Sequence, residues 1–498
     1  MGRLKAGFKK VVRKFERVND FLYKYRKYLV VAYLILSIIF FIIQFNLINN
    51  WDMLVRILNG NYLFHNGQYF EYQRALLEST VIGLLAFAFG SYAVYAFIAL
   101  FSVIFFIALL IFSRAFKVEY VLLLGIVLNP FLLYYGIKNG SEIPLYAFLI
   151  LFVSMIKLKR PIAGMFFALA FVSKYDAVMF LPLALFLIDK RILESLKRIG
   201  LFIGILLVSL LPFFAYNLIL YHNPLFTFEF AFSQSSAQNL ILGPGMTNIA
   251  NVYGGFLELV VFVPIVAFIL LFNRDVLKEI KQRKRELALL AAAAAIALVI
   301  YLMASGLYVG GLGYFRFFLG PTLFLSLLSA LFLKRGALLF TLIFFAISIL
   351  LAYNILYAQQ FGTPTMQIEV SSARSLLYAT YNTTNCTVQS NNWVYLDYHG
   401  ISATYIWGVN YSQYPIISFG ALAGNYSLLG QSNGIYLYGY GASKRYCSYT
   451  PVIDFKYGVN FAINASRANN TVGCYLAYNR LSSTLLLDAC KFLASITR

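Results

Sequence analysis

Long apolar runs, each bordered on at least one side by Lys and Arg, recur from residue 28 to residue 357. About 20 apolar residues are enough for one helix to cross a bilayer. The run 28–45 is too long for a signal-peptide core and lacks a small-residue cleavage site, which predicts a retained anchor. Further runs lie at 76–112, 118–156, 161–188, 199–272, 287–305, 316–333 and 337–357. Between them stand Arg114 and Lys117; Lys157, Lys159 and Arg160; Lys190, Arg191, Lys197 and Arg198; Arg274 through Arg285; and Lys334 with Arg335. Read as cytoplasmic marks, these clusters require an even number of crossings in each run between them. The run 118–156 is broken at Lys138-Asn139-Gly140-Ser141, and 199–272 carries spans at each end of a polar outer loop, 222–252. Parity leaves 76–112 as one crossing, either bent near Gly90 or with a re-entrant first half. The run 161–188 is short for two spans, and Lys174, Tyr175 and Asp176 interrupt it. Irregular backbone at that depth lines a cavity; an ordinary tight hairpin is the alternative. The pattern predicts an all-α polytopic membrane protein of about 11 transmembrane helices with a cytoplasmic N-terminus, in the plasma membrane or its equivalent.

The pattern differs at both ends. In residues 1–27, Leu4, Phe8, Val11, Phe15, Val18 and Leu22 recur at helical spacing among Lys5, Lys9, Lys10, Arg13, Lys14 and Arg17. That is a basic amphipathic helix suited to an anionic cytoplasmic leaflet. Residues 28–358 form the multi-span module, with outer loops 46–75 and 222–252. From 359 to 498 the period changes to two, as in Val394-Tyr395-Leu396-Asp397-Tyr398 and Ile435-Tyr436-Leu437-Tyr438-Gly439-Tyr440. Such alternation reads as strands and predicts a C-terminal β-rich or mixed α/β domain on the outer side.

Composition narrows the function classes. Hydrophobic residues make up 61% and charged residues 12%, against about 25% charged in ordinary soluble domains. This excludes a disordered chain, a coiled coil, a collagen and a soluble enzyme. The net charge of +21 would suggest nucleic acid in a soluble protein. Residues 359–498 carry eight basic and four acidic side chains, so +17 of it lies in residues 1–358, in the N-terminal helix and the inter-span clusters. The charge therefore sets orientation, and the expected partners are membrane lipids and not nucleic acid.

All four cysteines, Cys386, Cys447, Cys474 and Cys490, fall in the last segment, on the side predicted to be oxidising. Up to two disulfides are expected, in any of three pairings; zinc is the runner-up, although the spacing fits no finger. Candidate glycosylation sequons stand at Asn382, Asn385, Asn410, Asn425, Asn464 and Asn469, with another at Asn139. The domain is either a structural cap or an aid to acceptor choice through its tyrosines. His65 and His222 are scattered and share no ligand spacing, so no metal and no tightly bound cofactor are expected.

Few acids of the multi-span module fall on the outer side: Asp52, Glu71, Glu78, Glu142, Asp176, Glu229 and Glu258. Asp52 follows the first apolar run directly, beside Trp51 and ahead of a polar, aromatic stretch with Arg56, His65, Tyr69, Tyr72 and Arg74. Glu142 opens the fourth predicted span between Ser141 and Pro144, where a carboxylate also suits the helix dipole. These placements resemble the GT-C glycosyltransferases, and most closely the group of protein O-mannosyltransferases and lipid A aminoarabinose transferases, archaeal-type members included. The similar stretches are Asp52-Met53 through Leu58, Gly67 through Arg74, Ser173-Lys174-Tyr175-Asp176-Ala177 through Pro182, Tyr221-His222-Asn223-Pro224-Leu225, and Tyr314-Phe315-Arg316-Phe317-Phe318 through Pro321. They cover most of 28–335 in the family's order. Met53 stands where the family often has a second acid, and Arg74-Ala75-Leu76-Leu77 where it often has Arg-Xaa-Pro-Pro. No Trp-Trp-Asp motif of the oligosaccharyltransferase branch is present.

The resemblance implies transfer of a hexose, such as mannose, from a polyprenyl- or dolichyl-phosphate donor to a hydroxyl of a protein or glycan acceptor, with inversion, on the outer side of the membrane. It implies Asp52 as base with Glu142 as acceptor orienter or second acid. Arg74, Lys174 and Arg316 would meet the donor phosphate, and Trp51, His65, Tyr72, Asp176 and His222 would line the substrate site. Two other readings stand beside it: a lipid-sugar flippase or transporter, and a non-catalytic membrane scaffold. Against the flippase, the halves show no internal repeat.

Overall fold

The structure is a computed structural model. It describes residues 17–47, 51–67, 70–71, 74–138, 140–189, 191–231, 276–307, 315–362, 366–405, 414–422, 426–444 and 446–449. The chain separates into two compact units. One comprises Met1–Ile48, Tyr95–Pro212 and Pro244–Ala358; the other comprises Asn49–Val94, Phe213–Gly243 and Gln359–Arg498. Residues 49–94, expected as part of the multi-span module, thus group with the C-terminal segment.

Helices dominate, in the order α1 (Arg26–Leu47), α2 (Trp51–Phe64), α3 (Leu76–Phe89), α4 (Ala93–Phe116), α5 (Tyr120–Val127), α6 (Pro130–Lys138), α7 (Glu142–Lys157) and α8 (Ala163–Ser173). A 3₁₀ helix over Tyr175–Leu187 follows, then α9 (Ile192–Tyr221), α10 (Val276–Gln282), α11 (Lys284–Leu307), α12 (Phe315–Ala330), α13 (Leu338–Gly362) and α14 (Met366–Tyr381). Among the described residues, four helical stretches are long and apolar enough to cross a membrane: Arg26–Gln44, Leu76–Phe116, Ile192–Tyr221 and Arg335–Asn354. A fifth arises if Tyr120–Val127 and Pro130–Ile137, bent by 71°, form one broken span. The described helices therefore give four or five such stretches where the sequence pattern predicts about 11. Helices do occupy the runs near 142–156, 161–173 and 316–330, but with 16, 11 and 16 residues they are short. The span expected before residue 272 lies outside the described residues.

Two predicted breaks have a clear physical basis. At Gly90, φ is +53°, a left-handed conformation that glycine adopts without steric cost; a 3₁₀ turn, Gly90–Tyr92, separates α3 from α4 there. At Lys174 the backbone is extended (φ −158°, ψ 125°), so α8 ends and the 3₁₀ helix begins. That helix buries Ala177, Phe180, Leu183 and Leu187, close to the three-residue period of 3₁₀ geometry. The break between α5 and α6 was not foreseen. Asn129 accepts hydrogen bonds from the amides of Phe131 and Leu132, both at 3.0 Å. It caps α6, and Pro130 at the first helical position has no amide to leave unpaired.

In the first unit, the Tyr33 ring meets Phe345 edge-on at 4.5 Å, and the Gln44 amide donates to the Leu133 carbonyl at 2.7 Å. Its basic clusters converge. Lys157 pairs with Glu286 and Lys159 with Asp189. Arg285 donates to the Ile188 carbonyl at 2.7 Å and lies 3.4 Å from Asp189. Lys334 reaches Glu279 at 3.1 Å.

In the second unit, α2 and α3 form a hairpin closed at Gly60 and Gly83. A β-carbon on Gly60 would stand 2.7 Å from the Ser79 carbonyl oxygen, and one on Gly83 would stand 2.7 Å from the Gly60 carbonyl oxygen. Only glycine allows this approach. The C-terminal part is a mixed α/β fold: β1 (Val388–Ser390), α15 (Trp393–Tyr398), β2 (Ala403–Tyr405), β3 (Ile416–Phe419), β4 (Ser427–Ser432) and β5 (Ile435–Gly439). The sheet order is β2-β1-β3-β5-β4, with β1 parallel to β2 and β3, and β5 antiparallel to β3 and β4. Asn433 and Gly434, at φ +48° and +79°, turn β4 into β5, as a two-residue hairpin requires. The strand predicted at 435–440 is β5. The strand predicted at 394–398 is instead the helix α15, because Trp393, Val394, Tyr395 and Leu396 are all buried in succession and not alternately. Cys386 and Cys447 form a disulfide with Cα atoms 5.6 Å apart; Cys474 and Cys490 lie outside the described residues.

Candidate functional site

Asp52 is the second residue of α2, one position after Trp51. Arg74, just ahead of α3, points Nη1 at Asp52 Oδ1 (2.8 Å) and Nε at Glu71 Oε2 (2.9 Å). The Glu71 side chain is 2% exposed, Asp52 13% and Arg74 22%, so the cluster is sheltered but reachable. Glu71 is fixed through its backbone: the Asn59 amide donates to its carbonyl at 3.0 Å, and its N–H donates to Asn59 Oδ1 at 2.9 Å. This reciprocal pair ties the irregular chain after α2 back onto the helix. A second ion pair, Arg56 to Glu78 at 2.8 Å, is fully buried between α2 and α3. The hairpin thus holds three acids, Asp52, Glu71 and Glu78, against two arginines.

Sequence reasoning picked Asp52 and Arg74 and missed their partners. Glu71 and Glu78 stood among the outer acids but carried no distinguishing signal. Arg56, four residues after Asp52 on the same helix, was the one readable cue. His65 sits at the end of the hairpin, its Nε2 2.9 Å from the Gly83 carbonyl and its ring 4.5 Å from Phe87. Trp51 meets Trp393, the first residue of α15, edge-on at 4.2 Å. Tyr72 lies outside the described residues.

In the other unit, Glu142 stands in the first turn of α7 and is 2% exposed. Ser141 does not cap the helix backbone; its hydroxyl donates to Glu142 Oε2 at 3.2 Å. Lys174 approaches Glu142 at 3.4 Å and Asp176 at 3.6 Å. Lys174 and Asp176 line a small cavity with Tyr146, Phe180, Ala297 and Gly320. Its volume of about 20 Å³ has room for roughly one water molecule. The chain break at Lys174 borders this void, which is too small for a sugar. Arg316 belongs to α12, but its side chain lies outside the described residues.

His222 is exposed, with φ +54°. The next residue, Asn223, accepts from the Leu225 amide at 2.9 Å and donates to Glu229 at 2.8 Å, so the His-Asn-Pro segment is a built turn. Of the sequons, Asn382 and Asn385 are exposed, while Asn410, Asn425, Asn464, Asn469 and Asn139 lie outside the described residues. Among the described residues, no three His, Cys, Asp or Glu side chains are grouped to hold a metal ion.

No family model, no curated protein and no solved structure matches the chain. The functional reading therefore rests on the residues themselves.

Proposed function

We propose that the protein is an integral membrane glycosyltransferase that moves a hexose from a polyprenyl-phosphate donor to an acceptor hydroxyl. The observation that carries this reading is the sheltered Asp52–Arg74–Glu71 cluster, placed directly after an apolar helix of 22 residues. The ordered resemblance to GT-C glycosyltransferases supports it, as do the long apolar helices. Convergence of Lys157, Lys159, Arg285 and their acidic partners supports a cytoplasmic assignment for the loops that carry them. On that assignment the chain crosses the membrane about 11 times, and Asp52 and residues 359–498 face the outer side.

In the proposed reaction Asp52 accepts the proton of the acceptor hydroxyl, which attacks the anomeric carbon as the bond to the lipid phosphate breaks. The sugar inverts, because base and leaving group lie on opposite faces. Arg74 holds Asp52 Oδ1 at 2.8 Å and so aims the base; the phosphate, whose negative charge grows on the opposite face of the sugar in the transition state, is met by the other cations that the resemblance implies. Glu71 holds the Arg74 guanidinium from one side and Asn59 holds Glu71, so the cation is placed before substrate arrives. Lys174, with Glu142 and Asp176 around it, keeps the separate phosphate assignment that the resemblance implies; Lys174→Ala tests it.

The same ion pairs favour a second reading, in which Asp52 and Arg74 only staple the hairpin. Reconstitution in vesicles containing polyprenyl-phosphate mannose separates the alternatives. An enzyme releases polyprenyl phosphate in step with glycosylated acceptor, whereas a flippase moves intact donor across the bilayer and a scaffold does neither.

A further inference from the structure

The 3₁₀ helix Tyr175–Leu187 and α9 follow one another, and the chain reverses between them. Val178, Leu181 and Leu185 of the first and Ile199, Ile203 and Leu206 of the second wall an open groove of about 680 Å³. Every lining residue is apolar. Ordinary ligand sites occupy about 300–1,000 Å³. The walls extend from 178 to 185 and from 199 to 206, roughly 14 Å of 3₁₀ helix and roughly 10 Å of α-helix. That is close to the depth of one leaflet, since a bilayer core is about 30 Å thick.

The two ends of the groove differ in charge. At the Val178 end, Lys174 stands between Glu142 and Asp176, one cation against two carboxylates among the described residues. At the Leu185 end each carboxylate is shared by two cations. Lys159 and Arg285 share Asp189, Arg191 and Arg198 share Glu194, and Lys157 and Arg283 share Glu286. Among these residues positive charge is left in excess. Both walls lead into the cluster. Arg198 directly precedes Ile199, and Arg285 donates to the carbonyls of Phe186 and Ile188 at 2.5 and 2.7 Å. Burial and the charges of Arg285 and Arg198 hold the Lys159 pKa below its ordinary value, so these three cations share one field. Arg198 Nη1 is buried with no hydrogen-bond partner among the described residues. Lys159, Arg198 and Arg285 are all partly exposed, within reach of an anion.

An apolar groove that runs into surplus cations selects a ligand with an apolar tail and an anionic head. A free phosphate makes no use of the groove, and a zwitterionic lipid brings no net charge to the cluster. The opposite charge balance at the two ends sets the direction, with the head beside Arg198 and the tail towards Val178. Basic pockets between membrane helices hold anionic head groups in this way, and Arg offers a planar fork to phosphate oxygens.

We propose that the groove binds an anionic phospholipid, its acyl chain between the 3₁₀ helix and α9 and its phosphate at Lys159, Arg198 and Arg285. The proposal rests on the membrane assignment of the chain and is independent of sugar transfer.

The test is native mass spectrometry of the full chain in detergent, with phosphatidylglycerol and phosphatidylcholine of identical acyl chains. Wild type should retain phosphatidylglycerol with a preference of about tenfold or more. Arg198→Gln leaves Glu194 paired with Arg191 at 2.9 Å and should weaken retention about fivefold, the worth of one basic residue beside an anionic head group. Ile203→Trp, which fills the groove from an exposed position, should abolish it. Arg114→Gln removes an exposed cation of α4 that pairs with none of these carboxylates among the described residues, and should bind like wild type, as should Asp52→Asn. All four variants should keep the wild-type melting temperature. Equal retention of the two lipids by wild type overturns the proposal, as does retention that survives both groove variants or falls equally in Arg114→Gln. Selective retention lost in both groove variants, in a protein that shows no sugar transfer, upholds the lipid site and removes the glycosyltransferase reading instead.

Discussion

Asp397 is an acid held away from water. One carboxyl oxygen accepts the Ala403 amide at 2.9 Å, while Oδ2 is buried without a partner among the described residues. Burial pushes its pKa well above the ordinary 3.8. Such a group contributes stability below its unfolded pKa, and that contribution is lost as pH rises towards the folded value. The loss amounts to at most about 1.4 kcal/mol per pH unit over that window. Asp397→Asn keeps the acceptor for Ala403 and has no proton to lose, so it should raise the melting temperature at pH 7 and flatten the pH profile above 4. His399 works the other way: burial and the neighbouring Arg374 lower its pKa, so its contribution declines as pH falls below the ordinary 6.5. The Arg56–Glu78 pair belongs to the same scale. Glu78→Gln removes a buried carboxylate that lies 2.8 Å from Arg56 and should lower stability in denaturant unfolding, by up to about 3–5 kcal/mol. Asp52 and Arg74 were legible because an acid just past an apolar run, and an Arg just before the next, are unusual in one sequence window. Glu78 was hidden because an acid in the first turn of a helix looks like dipole complementarity until its partner is seen.

At the scale of elements, local signals that act through neighbouring residues were readable and long-range ones were not. The helix break at Gly90 and the extended residue at Lys174 follow from backbone preference and from a polar interruption. Asn129-Pro130 was equally readable as a cap followed by a helix-opening proline, yet the apolar run around it hid the break. Asn223-Pro224 uses the same device and caught notice only through its resemblance. Helix α15 was misread because Tyr395 and Asp397 fall at every second position after Trp393, although every side chain of its first turn is buried. The Gly60–Gly83 approach is invisible in sequence, since each glycine needs the other helix to explain it. Gly83→Val should force α2 and α3 apart and cost about 1–3 kcal/mol or more, as overpacking does, measured as a fall in the thermal unfolding midpoint. A substitution at Gly200, which faces open space, should leave that midpoint nearly unchanged.

At the scale of the whole molecule, the sequence separated an apolar, basic segment from a cysteine-bearing one, and its pattern of Lys and Arg is the basis of the proposed orientation. The number of long apolar helices was less accessible. Counting runs treats each as a straight rod, whereas 118–137 bends at Asn129 and 163–187 divides into an α and a 3₁₀ helix. The disulfide pairing was open among three choices, and the fold brings Cys386 to Cys447 across a separation of 61 residues. By the loop-entropy account, opening it should cost the C-terminal part roughly 4 kcal/mol. Reduction should lower the unfolding midpoint of that part, with less effect on the helices of residues 95–212.

The central claim is that Asp52 performs chemistry and does not merely pair with Arg74. Donor turnover by Asp52→Asn in reconstituted vesicles tests it most directly, with thermal unfolding of the same preparation as the control. Glu71 still holds Arg74 in this variant, so the unfolding midpoint should stay within a few degrees of wild type. Loss of the base should lower turnover by about 100-fold or more. Turnover close to wild type, or a fall in turnover that only follows a loss of folded protein, would contradict the account.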